Sequence, residues 1–313
     1  MNLVFIVGTG RCGSTLVHEI LAKHEAFGFI SNIEDNFPFM SAMGRWTNAL
    51  YRTPLGNFTR KGGLRFAPSE AYRLISREVS PIYANSCRDL YADDVTPWLE
   101  KRFRQFFESR AHAQNKPVFS HKYTGWPRIS FFTKIFPEAK FIHIVRDGRA
   151  VANSWLQMPW WGGYRGPENW LWGALKGDYR EEWEQNGRSF PQLAAIAWKI
   201  LMDAFHDAEV DLASNNYLKL KYEDILEDPE ERFRQILAFC GVDWSDRFEL
   251  SFRRQHFKKN RSRAFDDDLT LDQVREMEKS LGALLAQYGY DTDDTGQQKD
   301  APSGAGVVVS ASK

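Results

Sequence analysis

Along this chain, short continuous apolar runs take turns with stretches whose apolar residues recur at helical spacing. Residues 3–7 (LVFIV) and 140–145 (KFIHIV) are runs of the first kind, and 117–123 (PVFSHKY) and 217–222 (YLKLKY) also read as strands. Such runs suit strands buried on both faces of a parallel sheet. Residues 27–33 (FGFISNI) read as a further strand. After the first run, Leu16, Val17, Ile20 and Leu21 fall on one helical face, and the spacing predicts further helices over 69–84, 94–114, 128–136, 149–157, 190–213, 229–240 and 270–287. In 94–114 the apolar face is Trp98, Leu99, Phe103, Phe106 and Phe107; in 229–240 it is Phe233, Ile236, Leu237 and Cys240. Thr270, with Gln273 three residues on, has the spacing of a capping box. Strands alternating with helices predict an α/β protein, a three-layer α/β/α arrangement around a central, mostly parallel sheet.

Three segments break the rhythm. Residues 35–68 are rich in Gly, Pro, Asn and aromatics without periodicity, and 35–115 as a whole reads as an irregular and helical insertion bordering a substrate site. Residues 158–173 (MPWWGGYRGPENWLWG) are a loop dense in Trp and Gly. After Asp291 the chain turns to Asp, Thr, Gly, Gln and Ser, so 291–313 is expected to be a disordered tail behind one domain at 1–290. The composition, 43% hydrophobic and 26% charged, is that of a soluble globular protein. Lys+Arg and Asp+Glu number 41 each, so bulk charge gives no support to nucleic-acid binding. Cys12, Cys87 and Cys240 are isolated and lack metal-ligand spacing, which favours a reducing compartment. No secretory signal is evident, and no apolar run approaches the ~18 residues that span a bilayer. A cytoplasmic protein is expected.

The chemistry starts at residues 5–21, FIVGTGRCGSTLVHEIL. Gly8 to Thr15 has the spacing of the phosphate-binding loop G-x-x-x-x-G-K-[ST], except that Ser14 stands at the lysine position and Arg11 lies inside the loop. Gly8, Gly10 and Gly13 let the backbone turn its N–H groups into one concavity, and the following helix points its positive end there. Ser14 and Thr15 add hydroxyls. A kinase or NTPase needs the missing lysine and a magnesium-binding acid; Arg11 is instead a rigid donor that keeps its charge. A second anchor is KFIHIVRDGRAVANSW, residues 140–155, where Arg146 follows an apolar strand and Ser154 comes two helical turns later. The carboxyl ends of parallel strands line the ligand crevice, so this pair is placed to grip another phosphate.

Together, R-x-G-S/T-T at Arg11–Thr15 and R-D-x-R-x-x-x-x-S at Arg146–Ser154 resemble the PAPS-dependent sulfotransferase superfamily (PAPS is 3′-phosphoadenosine 5′-phosphosulfate). KLKYEDILEDPEERFRQILAFCGV at 219–242 and LLAQYGYD at 284–291 are also similar to that family. The resemblance implies a P-loop-NTPase-like fold, PAPS as donor, adenosine 3′,5′-bisphosphate as product and no metal. It implies a 5′-phosphosulfate loop of Gly10, Arg11, Cys12, Gly13, Ser14 and Thr15, with arginine replacing lysine as in tyrosylprotein and many bacterial members. Arg146 and Ser154 then serve the 3′-phosphate, Tyr222 lies near the nucleotide, and Lys258, Lys259 and Arg261 sit where the family closes a loop over that phosphate. Lys122, at the end of a predicted strand, is assigned to the bridging and sulfuryl oxygens. For the base that takes the acceptor proton, the resemblance favours Glu34, just beyond the second predicted strand and next to Asp35, with His121 as rival. The acceptor is expected to bear a hydroxyl, on a carbohydrate, lipid or other small molecule, and Trp160, Trp161, Tyr164 and Trp170 are candidates to enclose it. Two other readings stay open on the residues alone, a P-loop kinase or NTPase and a non-catalytic nucleotide- or glycan-binding protein. A homodimer is also left open.

Overall fold

Buried side chains from Leu3 through Val7 make β1 (Asn2–Val7) a strand covered on both faces. In the computed structural model, which describes residues 2–37, 43–57, 65–175, 177–210, 212–257 and 263–291, β1 is the centre of a five-stranded sheet. The other strands are β2 (Phe27–Gly28), β3 (Val118–Lys122), β4 (Lys140–Val145) and β5 (Tyr217–Lys221). They lie in the order β2-β3-β1-β4-β5, all parallel. Ile6 pairs with Lys122 and Val7 with His143, so the carboxyl ends of β1, β3 and β4 open at one edge. Strand order reverses beside β1, which is where open α/β sheets bind ligands.

In chain order the helices are α1 (Ser14–Leu21), α2 (Asn32–Asn36), α3 (Gly44–Tyr51), α4 (Tyr72–Glu78), α5 (Ile82–Asn85), α6 (Pro97–Gln114), α7 (Ile129–Ile135) and α8 (Gly148–Leu156). They continue with α9 (Asp178–Gln185), α10 (Phe190–Val210), α11 (Tyr222–Glu227), α12 (Pro229–Cys240), α13 (Asp246–Phe252), α14 (Phe265–Asp268) and α15 (Leu271–Gln287). The period-two alternation of β1 feeds two cores. Leu3, Phe5 and Val7 pack with Phe103, Phe107 and Phe132 of α6 and α7, while Val4 and Ile6 pack with Val17 of α1 and Ile236 of α12. A third core joins α8, α10 and α15 to the tryptophan-rich loop. These are the expected three layers.

The differences from the periodicity reading have local causes. Within 27–33, only Phe27 and Gly28 join the ladder. At Phe29 the side-chain amide of Gln114 replaces a neighbouring strand, accepting from its N–H and donating to its carbonyl, each at 2.9 Å. The chain then pairs with a distant partner: Ser69 N–H donates to the Ile30 carbonyl, Asn32 N–H to Ala67 and Ile33 N–H to Arg65. The helix expected over 69–84 is broken into α4 and α5 before Pro81, which cannot continue the hydrogen-bond ladder. In α6, Thr96 caps and Pro97 opens the helix, and Leu99, Phe103, Phe106 and Phe107 are buried as expected, whereas Trp98 points outward. The Thr270–Gln273 capping box forms. Of the expected tail, only residue 291 lies within the described residues.

Candidate active site

The loop between β1 and α1 is shaped by its glycines. Gly10, Arg11 and Gly13 all take positive φ, at 85°, 54° and 94°. At Gly13 a Cβ would sit 2.1 Å from the Tyr222 ring, so only glycine lets that ring lie against the loop. The first turn of α1 brings Ser14 and Thr15 to the same mouth, and Gly125 N–H ties the β3 end to the Gly8 carbonyl at 3.0 Å.

Two arginines meet across this mouth. Arg11 Nε donates to Ser154 Oγ at 2.8 Å, and Arg146 Nη1 donates to the Arg11 carbonyl at 2.9 Å. The Arg146 guanidinium also lies 5.0 Å from the centre of the Tyr222 ring. The structure thus gathers Arg11, Arg146 and Tyr222, which follow β1, β4 and β5, in the wall of a cleft of about 950 Å³, with Ser154 of α8 bonded to Arg11. Ser154 supports Arg11 rather than lining the cleft. Cys12 is fully buried against Gly8 and contributes no side chain to the cleft.

Lys122, the last residue of β3, is held between two oxygens. Its Nζ donates to Thr15 Oγ1 and to Glu70 Oε1, each at 2.8 Å. Glu70 was missed in the sequence. It also accepts from Thr124 Oγ1 at 3.1 Å and lines the cleft. The cleft wall also carries Tyr72, Trp126, Trp160, Leu171 and Trp172, together with Arg128. Trp160 and Leu171 keep 45% and 57% of their surface exposed, enough to meet a bound molecule. His256 also lines the cleft and was not singled out in the sequence.

Several expected residues lie elsewhere. Glu34 is fully buried and absent from the cleft wall; it is the third residue of the Ser31 capping box, where Oε2 accepts from Ser31 N–H at 2.8 Å and Ser31 Oγ at 2.7 Å. Burial raises its carboxyl above the usual range. A carboxylate closed off in this way cannot reach an acceptor hydroxyl, so the position proposed for the base is corrected. Asp35 is likewise engaged, accepting from Ser69 Oγ at 3.0 Å and Leu74 N–H at 2.9 Å. His121 is buried among Phe5, Phe107 and Tyr83, with its Nε2 3.0 Å from the Tyr83 hydroxyl. Burial, together with the Lys122 charge, lowers its pKa to about 3, leaving a neutral core histidine. Trp161 and Trp170 pack inside the third core, with Trp170 Nε1 donating to the Gly173 carbonyl, and Tyr164 is exposed beside Trp161 without lining the cleft. Of the four aromatics expected to enclose the acceptor, Trp160 alone lines the cleft. Lys258, Lys259 and Arg261 lie outside the described residues.

The sequence matches the sulfotransferase family over residues 4–246, which takes in both arginines, Lys122, Glu70 and all of the sheet but the first two residues of β1. The chain belongs to the sulfotransferase family. As such it is a transferase, and the kinase and pure binding-protein readings give way. The omega-hydroxy-beta-dihydromenaquinone-9 sulfotransferase Stf3 of Mycobacterium bovis is 22% identical over 314 residues, covering 92% of this chain and 75% of that protein. A protein-tyrosine sulfotransferase of Drosophila melanogaster is 26% identical over 117 residues, 37% of this chain and 19% of that protein. Among solved structures, sulfotransferase STF9 from Mycobacterium avium superposes with a TM-score of 0.54 at 14% identity, covering 93% of this chain and 77% of that one. The sulfotransferase domain from the curacin biosynthetic pathway gives 0.53 at 14% identity, covering 93% and 98%. These likenesses show a sulfotransferase fold. Among the described residues, no cluster of His, Cys, Asp and Glu is placed to hold a metal ion, and no helix is long and apolar enough to cross a membrane.

Proposed function

We propose that this sulfotransferase, as one catalytic domain over 1–290, takes its sulfuryl group from PAPS and passes it in line to a hydroxyl on an acceptor with an apolar or aromatic body. The carrying observation is the convergence of Arg11 and Arg146 on one cleft through the bonds Arg11–Ser154 and Arg146–Arg11. The donor carries two phosphate ends, and two arginines on one cleft suit them. The loop fits the group in a second respect: Gly13 leaves the backbone bare against the Tyr222 ring in the cleft wall, where a Cβ would sit 2.1 Å from that ring.

In this reading Gly10, Arg11, Gly13, Ser14 and Thr15 hold the 5′-phosphosulfate with backbone N–H groups, hydroxyls and one guanidinium. Arg146 and Tyr222 hold the 3′-phosphoadenosine end, with Ser154 fixing Arg11. PAPS supplies the sulfuryl group and a phosphate leaving group. Lys122, 2.8 Å from the Thr15 hydroxyl at the loop, supplies positive charge where negative charge grows on the bridging oxygen. Trp126, Trp160, Leu171 and Trp172 form the acceptor end. Its aromatic side chains favour a lipid alcohol or a phenol. The relatives are named for an omega-hydroxy-dihydromenaquinone and for protein tyrosine, which are hydroxyl compounds too.

The test is transfer of radiolabelled sulfate from PAPS, in chelator, to a panel of long-chain alcohols, phenols, sugars and tyrosine peptides. Label appearing on an apolar alcohol or a phenol supports the proposal. Label confined to sugars overturns the acceptor class, and no transfer to any member overturns the donor and acceptor together.

A further inference from the structure

We propose that Glu70 is the general base of the transfer, at the position the sequence assigned to Glu34; the inference rests on the sulfotransfer reading above. Glu70 reaches the site by a route that no local pattern announces. Residues 65–69 run antiparallel beside 30–33, with Ser31 bridged to Pro68, so the chain carries Glu70 back to the carboxyl edge of the sheet. Ala71, at φ 52°, ends that ribbon and starts α4, leaving Glu70 at the turn. An acid thus does stand just beyond the second strand, but it comes from a segment folded back onto it.

Its surroundings suit the role. Among the described residues Glu70 is the one carboxylate lining the cleft. Both of its hydrogen bonds, from Lys122 Nζ and Thr124 Oγ1, go to Oε1, and Oε2 accepts none from the described residues. The side chain keeps 27% of its surface exposed. Through Lys122 it is one residue away from Thr15 of the phosphosulfate loop, and it shares the cleft wall with Tyr72, Trp126 and Trp160 of the acceptor end. A base must stand beside the reacting oxygens, and Glu70 lines the same cleft as the loop and is bonded to Lys122. Glu34 and His121 are sealed in the core.

In the step itself, the acceptor oxygen bonds to sulfur while the bond from sulfur to the bridging oxygen of PAPS breaks. The electron pair leaves on the 5′-phosphate of adenosine 3′,5′-bisphosphate, and the hydroxyl proton passes to the Glu70 carboxylate. Lys122 links the two events. While it is paired with Glu70 the carboxylate is neutralised; when the donor oxygens draw Lys122 toward the loop, Glu70 becomes available for the proton.

Glutamine at this position keeps an acceptor oxygen for Lys122 and Thr124 but cannot take a proton, which separates catalysis from support. The experiment measures bisphosphate release from PAPS by the full chain with 2-naphthol, with 1-decanol and with water as acceptor. Alongside it, calorimetry measures the binding of adenosine 3′,5′-bisphosphate. Glu70→Gln is expected to lower kcat by ~10²–10⁴-fold while binding the bisphosphate at least as tightly as the wild type, since Lys122 loses a competing anion. Glu70→Asp keeps more of the rate than Glu70→Gln, and formate restores part of the rate of Glu70→Ala without affecting the wild type. The proposal is overturned if Glu70→Gln keeps kcat within about threefold, which is below any base contribution. It is also overturned if Glu70→Gln loses bisphosphate binding along with rate, or if His256→Gln alone shows the loss. A wild-type chain that binds no bisphosphate and releases none from PAPS overturns the donor reading beneath it, a result distinct from an active chain indifferent to Glu70.

Discussion

The two ends of the cleft are built in different ways. The phosphate end is assembled from three strand-to-helix junctions, β1 to α1, β4 to α8 and β5 to α11, each a short contiguous segment whose polar groups emerge where the strand stops. The proposed acceptor wall is assembled from pieces with no such rule: Tyr72 after a folded-back ribbon, Trp126 after β3, and Trp160, Leu171 and Trp172 from an irregular loop. The sheet dictates the first and tertiary packing selects the second. The proposed donor grip is therefore rigidly placed, while the proposed acceptor wall rests on loops, which can change without disturbing the sheet.

Breaking the phosphate end should have the largest effect. Arg11→Ala removes a charged donor from the transferring group and should lower kcat/KM for PAPS by ~10³-fold in initial-rate assays; a loss below tenfold would detach Arg11 from the donor. Arg146→Ala is next, with an expected rise in the Kd of adenosine 3′,5′-bisphosphate of ~30-fold. Its binding of 5′-AMP, which lacks the 3′-phosphate, should change far less, and equal losses for both nucleotides would place Arg146 elsewhere. At the other end, Trp160→Ala or Leu171→Ala should raise acceptor KM by ~10-fold with bisphosphate affinity unchanged. A change in bisphosphate affinity instead would dissolve the distinction between the ends.

The smallest effect tests the boundary between site and core. Burial lowers the His121 pKa to about 3, whereas the unfolded chain titrates it near ~6.5. Within that window the unfolded state binds more protons. The stability due to neutral His121 is therefore full above pH ~6.5 and is lost as pH falls toward 3. His121→Asn should make the acid-side fall in unfolding free energy shallower by ~1.4 kcal/mol per pH unit, while kcat at neutral pH stays within about threefold of wild type, a change too small for loss of a base. A collapse of kcat would return His121 to the mechanism.

The same contrast explains how far the sequence could be read. Gly8, Gly10, Arg11, Gly13 and Arg146 follow apolar runs directly, so periodicity located the strand ends and the residue types supplied the chemistry. Glu70 follows residues without periodicity, and its place depends on hydrogen bonds between 65–69 and 30–33. Glu34 had the right residue type at nearly the right distance, but the Ser31 capping box turns it into the protein. Trp160 and Trp161 are adjacent in sequence, yet the first is 45% exposed and the second 2%. The turn at Gly162–Arg165 and the packing of the third core decide which one faces the cleft, and hydrophobicity cannot distinguish them.

The central claim is that the paired arginines hold a doubly phosphorylated adenosine. Its most direct test is calorimetry with adenosine 3′,5′-bisphosphate in chelator beside Mg-ATP, followed by thermal unfolding with each ligand. The bisphosphate is predicted to bind and, at a hundred times its Kd, to add ~2.7 kcal/mol of stability, and Mg-ATP to add far less. Tighter binding of Mg-ATP, or bisphosphate binding that survives removal of both arginines, would contradict the account.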